Sequence, residues 1–87
     1  MRTNRNGFNT LDELISGEVR AEIARKKLPR KTLYDSIGMH PNVFNRKYNG
    51  LVGFTSSELA SVARLLGTTA AEITRAAEAR LESEVAA

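Results

Sequence analysis

The sequence has no cysteine and a single histidine, His40. Without cysteine the chain can form neither a disulfide nor a thiolate metal site, and one histidine cannot supply the usual four-ligand zinc site. No run of about eighteen apolar residues occurs, so we expect no membrane-spanning helix. The serines form no nucleophile arrangement with the histidine, and no glycine-rich phosphate loop is present. We therefore expect neither enzyme activity nor a cofactor or metal.

Patterns typical of helices are abundant in the sequence. Its 87 residues are enough for one domain with a modest core. Three segments fit the capping box, in which a threonine and a glutamate satisfy each other's backbone N–H groups. They are Thr10–Glu13, Thr55–Glu58 and Thr69–Glu72. Each precedes a segment with apolar residues at helical spacing, so helices are predicted there. The pair Ser16-Gly17 is expected to kink or split the first of them.

Two further short helices are predicted between the helix that begins near Thr10 and the helix that begins near Thr55. One runs from about Arg30 to Ile37 and ends at Gly38, which adopts the left-handed conformation easily. The other begins at Pro41, a residue tolerated at the first helical position, and ends at Asn49-Gly50. Two helices joined by a tight glycine turn indicate a helix-turn-helix, whose second helix fits the DNA major groove.

Positive charge is concentrated around this helix pair. Residues 20–50 contain eight basic and two acidic side chains, a net charge of +6, whereas the whole chain carries +3. A solvated basic surface would explain the charge alone. Its position beside the helix pair favours nucleic acid, because phosphate binding requires clustered cations.

The segment from Val19 to Ile73 resembles the xenobiotic-response-element (XRE) family of helix-turn-helix domains, which includes lambdoid phage repressors and Cro proteins. The matching residues are Leu28, Leu33, Ile37-Gly38-Met39, Phe44, Arg46, Asn49-Gly50, Glu58-Leu59, Ala63 to Gly67 and Glu72-Ile73. The resemblance implies an all-α, compact, five-helix, lambda-repressor-like fold. It also implies DNA recognition by the third helix, frequently as a homodimer on a palindromic operator, in the cytoplasm of a bacterial host.

Three positions depart from the pattern of this family. Tyr34 stands where alanine is usual, so its ring must lie at the edge of the helix pair or push the helices apart. Lys47 stands where many members have an apolar residue, and its methylene stem can cover apolar surface. Pro29 and Arg30 replace the usual polar cap and glutamine.

Side chains at the start of the third helix are the candidates for DNA contact. Base contacts are expected from Pro41, Asn42, Asn45 and Arg46, because asparagine pairs with adenine, arginine with guanine, and a proline ring can pack on a thymine methyl. For Arg46 a phosphate contact is the alternative. DNA backbone contacts are expected from Arg30, Lys31, His40, Lys47, Thr55 and Ser56. His40 can also act as a helix cap, like the serine or threonine usual there in the family.

Both ends of the chain carry further hypotheses. Residues 1–9, with Arg2 and Arg5, are interpreted as a flexible arm that enters the minor groove or as a solvated tail. The domain then spans 10–87. Leu81 and Val85 extend the apolar stripe of the last helix, either as a dimer surface or as a frayed end. The final Val-Ala-Ala also resembles the small-residue tail recognised by bacterial unfoldase–proteases.

The sequence thus predicts a sequence-specific transcriptional regulator that binds double-stranded DNA, of the phage repressor or Cro type. The alternative is an antitoxin or another protein-interaction module whose C-terminal helix docks a partner.

Overall fold

The computed structural model describes residues 10–86, with side chains from 11 to 84, and this part of the chain is built from five helices. They are α1 (Thr10–Lys26), α2 (Arg30–Ile37), α3 (Pro41–Tyr48), α4 (Ser56–Leu65) and α5 (Ala70–Ala86). The prediction of an all-α, five-helix domain is confirmed. Within these residues, none of the helices has the length and hydropathy needed to cross a membrane.

Threonine caps set the starts of α4 and α5. The Thr55 hydroxyl accepts from the Glu58 backbone N–H at 3.2 Å, and the Glu58 carboxylate accepts from the Thr55 N–H at 2.9 Å, which completes the predicted capping box. The Thr69 hydroxyl accepts from the Glu72 N–H at 3.0 Å. Thr10 is the first residue of α1, and its side chain lies outside the described part.

Helix α1 runs without interruption through Ser16-Gly17, so the predicted split of this helix is wrong. Ser16 is fully buried, and its Oγ donates to the Lys47 carbonyl at the end of α3. A Cβ on Gly50 would lie 3.8 Å from the Ser16 Cβ. The small side chain at this position therefore allows close approach of another helix and does not break α1.

The core surrounds Phe44, which has no exposed surface. Its ring packs against those of Tyr34, Tyr48 and Phe54, with centroid separations of 5.8, 6.1 and 6.3 Å. The other buried core residues come from α1, α2, α4 with its C-cap, and α5: Val19, Ile23, Leu33, Leu59, Val62, Ala63, Leu66 and Ile73. Because α3 supplies the central aromatic ring, its orientation is set by the whole core.

Helix α5 packs antiparallel along α1, and these two helices share the most extensive contact in the fold. At one end Lys26 Nζ lies 3.6 Å from where a Gly67 Cβ would be, and further along Arg80 Nε lies 2.6 Å from Glu18 Oε2. Leu81 follows this ion pair and is half-buried. The apolar stripe of α5 is thus partly covered by the domain itself.

Candidate nucleic-acid interface

The turn between α2 and α3 has the predicted geometry. Gly38 is left-handed, with φ 69°, and the Met39 N–H donates to the Tyr34 carbonyl at 2.9 Å. His40 is the N-cap of α3, since its Nδ1 accepts from the Asn42 N–H at 3.1 Å. The predicted bounds of both helices and the capping role of His40 are confirmed. Because Nδ1 accepts, the neutral ring carries its proton on Nε2, which leaves a donor for an external acceptor.

The C-terminal end of α3 is fastened to α1. The Ser16 Oγ donates to the Lys47 carbonyl at 2.8 Å, and Arg20 Nη1 donates to the Tyr48 carbonyl at 2.7 Å. The last carbonyls of a helix have no partners within that helix, and they carry partial negative charge. Both contacts therefore stabilise α3 and fix its position. Sequence reasoning missed them, because the partners lie 31 and 28 residues apart.

With Phe44 and Lys47 turned inward, the other side of α3 faces outward. Pro41, Asn42 and Arg46 are exposed on it, and Asn45 is half-buried at its border. The guanidinium of Arg46 makes no hydrogen bond or ion pair with any described residue. Three of the four residues predicted to contact bases are therefore available on one helix face, with one unpaired guanidinium among them.

Arg30 lies across the border between α2 and α3. Its guanidinium carbon is 4.3 Å from the centroid of the Tyr48 ring, and Nη1 donates to the Asn45 Oδ1 at 3.1 Å. The arginine is thus held by a cation–π contact and a hydrogen bond. This hydrogen bond uses one lone pair of the Asn45 oxygen, and the NH₂ group of the amide keeps its donors for an external group.

Lys47 is turned into the protein. It is 8% exposed, and its Nζ lies 2.6 Å from the Glu58 Oε1 on α4. Burial alone would raise the pKa of Glu58, but the hydrogen bonds from Lys47 and from the Thr55 backbone, with the lysine charge, lower it overall. A phosphate contact by Lys47, as predicted from the sequence, would require this ion pair to break. Lys47 is therefore not part of the proposed interface.

The remaining candidates for phosphate contact lie at helix starts. Lys31 is exposed on α2 and forms an ion pair with Asp35 at 2.6 Å, a hydrogen bond that raises the lysine pKa. Thr55 and Ser56 are exposed where α4 begins, and the Thr55 hydroxyl caps that helix. The N-terminal end of α4 thus offers backbone N–H groups of the kind that bind phosphate.

Tyr34 lies at the edge of the helix pair. Its ring is half-buried and tilted by 55° against Phe44. Of the two outcomes expected for this departure from the XRE pattern, the structure shows the edge position. The predicted arm residues Arg2 and Arg5, the side chain of Val85 and the end of the Val-Ala-Ala tail lie outside the described residues.

Comparison with solved structures supports the fold. The chain is similar to the crystal structure of the clp gene regulator ClgR from Corynebacterium glutamicum, with a TM-score of 0.80 and 23% identity. The match covers 91% of this chain and 84% of that one. No protein-family model matches the sequence. No curated protein matches it either.

Proposed function

We propose that the protein is a transcriptional regulator of the XRE type, similar to a phage repressor or Cro protein, that binds double-stranded DNA through α3. The observation that carries the proposal is the outer face of α3. It presents Asn42 and the unpaired Arg46 on a helix whose other side is fixed in the core. Amide and guanidinium groups at the start of such a helix match the edges of adenine and guanine in the major groove.

Charge supports the same assignment. The segment that contains α2 and α3 carries the excess of positive charge, which attracts phosphates. Arg30, His40 and the start of α4 flank α3, where DNA strands would pass on either side of an inserted helix. The structural neighbour ClgR is itself described as a gene regulator. Operator binding would then block polymerase access, with phosphate contacts setting the register and base contacts the choice of sequence.

The first test is selection of binding sites from a random duplex pool at about 0.15 M salt, where non-specific attraction is damped. We expect enrichment of an inverted repeat with half-sites about one helical turn apart, since a homodimer would place two copies of α3 in successive major grooves. An asymmetric enriched site would support DNA recognition without the dimer. Absence of any enriched sequence would overturn the proposal and favour a protein-interaction module, such as an antitoxin that docks a partner.

The second test concerns Arg46. Replacing it with alanine should weaken binding to the selected site by ~1–3 kcal/mol and relax the preference at one base pair, as expected for a lost guanine contact. The matched control is Arg75→Ala, which removes an exposed arginine of α5 that forms an ion pair with Glu72. The affinity of both variants is measured by fluorescence anisotropy on the selected duplex and on a random duplex. Equal losses on the two duplexes would assign Arg46 to phosphate.

A further inference from the structure

A shallow apolar cleft lies beside the base-contacting face of α3. It has a volume of about 210 Å³ and is lined by Val43, Arg46, Lys47 and Val52. Val43 and Val52 keep 43% and 36% of their surface exposed, although neighbouring apolar residues of α3 and α4 are buried. The cleft thus combines two exposed valines with the one α3 cation that has no partner in the described chain.

The wall formed by the loop after α3 is held in place. The Leu51 N–H donates to the Arg46 carbonyl at 2.9 Å, which continues the end of α3 into the loop. Gly53 packs so closely on α1 that an added Cβ would lie 2.9 Å from the Asp12 carboxyl carbon. Val52 stands between these two fixed points. The cleft is therefore a formed feature of the surface.

The two cations that line the cleft differ in whether they can bind a partner. Together with the valines, they favour a polar, anionic partner that has an apolar group at its edge. The Lys47 ammonium is bonded to Glu58, so lysine lines the cleft without offering a free charge. Arg46 lies one helical turn from Val43 and is free to bind an acceptor. In the major groove, the exposed apolar group is the C5-methyl of a pyrimidine, and guanine is the usual arginine partner.

We propose that this cleft binds the C5-methyl group of a pyrimidine in the base step that Arg46 contacts. Thymine and 5-methylcytosine both carry this methyl group, whereas uracil and cytosine do not. The inference rests on the proposed function, because it presupposes that α3 enters the major groove. It adds Val43 and Val52 as specificity-determining residues beyond the polar side chains of α3.

The test replaces each thymine of the selected site with deoxyuridine, one position at a time, which removes a single methyl group. We expect one position in each half-site at which binding weakens about fourfold, the equivalent of one buried methyl group at ~0.8 kcal/mol. Placing cytosine and then 5-methylcytosine at that position separates the two sources of the methyl group. Recovery of affinity with 5-methylcytosine shows that both are accepted, whereas binding of thymine alone restricts the site to thymine.

Variants assign the effect to the cleft. Val43→Ala and Val52→Ala should each reduce the thymine-to-uracil ratio towards one, while Leu65→Ala, which truncates an exposed residue of α4, should leave it unchanged. Circular dichroism melting confirms folding of each variant. If the selected site binds specifically but no methyl deletion matters, or the ratio survives both valine variants, this inference is overturned and the proposed function stands. If no site is selected at all, the proposed function itself fails.

Discussion

Ser16 is a small polar residue in the middle of α1 that contributes to the position of α3. It is fully buried, and its hydroxyl reaches the Lys47 carbonyl, which also accepts from the Gly50 N–H at 3.1 Å. No buried side-chain nitrogen or oxygen in residues 11–84 lacks a partner. A serine here is small enough for the space between the helices, and its hydroxyl also supplies a hydrogen bond to the carbonyl at the end of α3.

Ser16→Ala should lower the free energy of unfolding by about 0.5–1.5 kcal/mol, because one buried hydrogen bond is lost while Gly50 still donates to the carbonyl. Urea denaturation measures this as a lower midpoint with an unchanged slope. Ser36→Ala is the matched control, since the Ser36 hydroxyl donates to the Thr32 carbonyl on the exposed side of α2. We expect the control to change stability by less than about 0.5 kcal/mol. Equal effects of the two variants would contradict the anchoring role.

At the scale of helices, the Lys47–Glu58 pair joins α3 to α4. Lys47 Nζ and the Thr55 N–H both donate to the same oxygen, Oε1 of Glu58. One carboxylate thus holds the lysine of α3 and closes the capping box of α4. The side chains are 10% and 28% exposed, so the pair is partly shielded from water.

This arrangement predicts a pH dependence for Glu58→Gln. The pKa of Glu58 is lowered from its ordinary value of 4.5, so its stabilising contribution is fully present above that value and is lost as pH falls through the lowered pKa. At pH 7 the variant should be less stable by ~1–2 kcal/mol. This is less than the loss of a fully buried charged hydrogen bond would cost, because the pair is partly exposed to water. Urea denaturation from pH 7 to pH 3 should show this difference shrinking below about pH 4.5.

The control for this experiment is Glu78→Gln, which removes an exposed carboxylate of α5. Its stability should match the parent protein within about 0.5 kcal/mol at each pH. A destabilisation by Glu58→Gln that is the same at pH 7 and pH 3 would show that the charge of the carboxylate does not contribute.

The helices and turns could be predicted from the sequence because their signals are local. Gly38, Pro41 and Thr55 each act on backbone groups within a few residues, so the bounds of α2 and α3 and the cap of α4 are confirmed. The position of Lys47 could not be predicted, because it depends on Glu58 in a different helix. For the same reason the sequence wrongly predicts a split at Ser16, because the burial of Ser16 against α3 depends on residues far along the chain.

At the scale of the whole molecule, several of the basic side chains between residues 20 and 50 are already bound to acidic side chains. Of the eight basic residues between 20 and 50, three form ion pairs: Arg25 with Glu22, Lys31 with Asp35 and Lys47 with Glu58. Arg20 and Arg30 donate to uncharged oxygens of α3, the Tyr48 carbonyl and the Asn45 amide. In the proposed complex with DNA, the electrostatic attraction would therefore depend on how many of the exposed ion pairs open when a phosphate is near.

Variants of Lys31 and Asp35 test whether an exposed ion pair opens to bind phosphate. Its pair with Asp35 is exposed, so little free energy opposes an exchange of the carboxylate for a phosphate. If Lys31 contacts phosphate, Lys31→Ala should reduce the slope of log K against log salt concentration by about 0.9, the value for one released counterion. Asp35→Asn keeps the lysine and removes its competitor, so it should strengthen binding and leave the slope unchanged. Anisotropy titrations from about 0.05 to 0.2 M salt measure both, with Arg75→Ala on α5 as the control for charge alone. A slope that Lys31→Ala does not alter would remove Lys31 from the proposed interface and leave Arg30, His40 and the start of α4 as the proposed phosphate contacts.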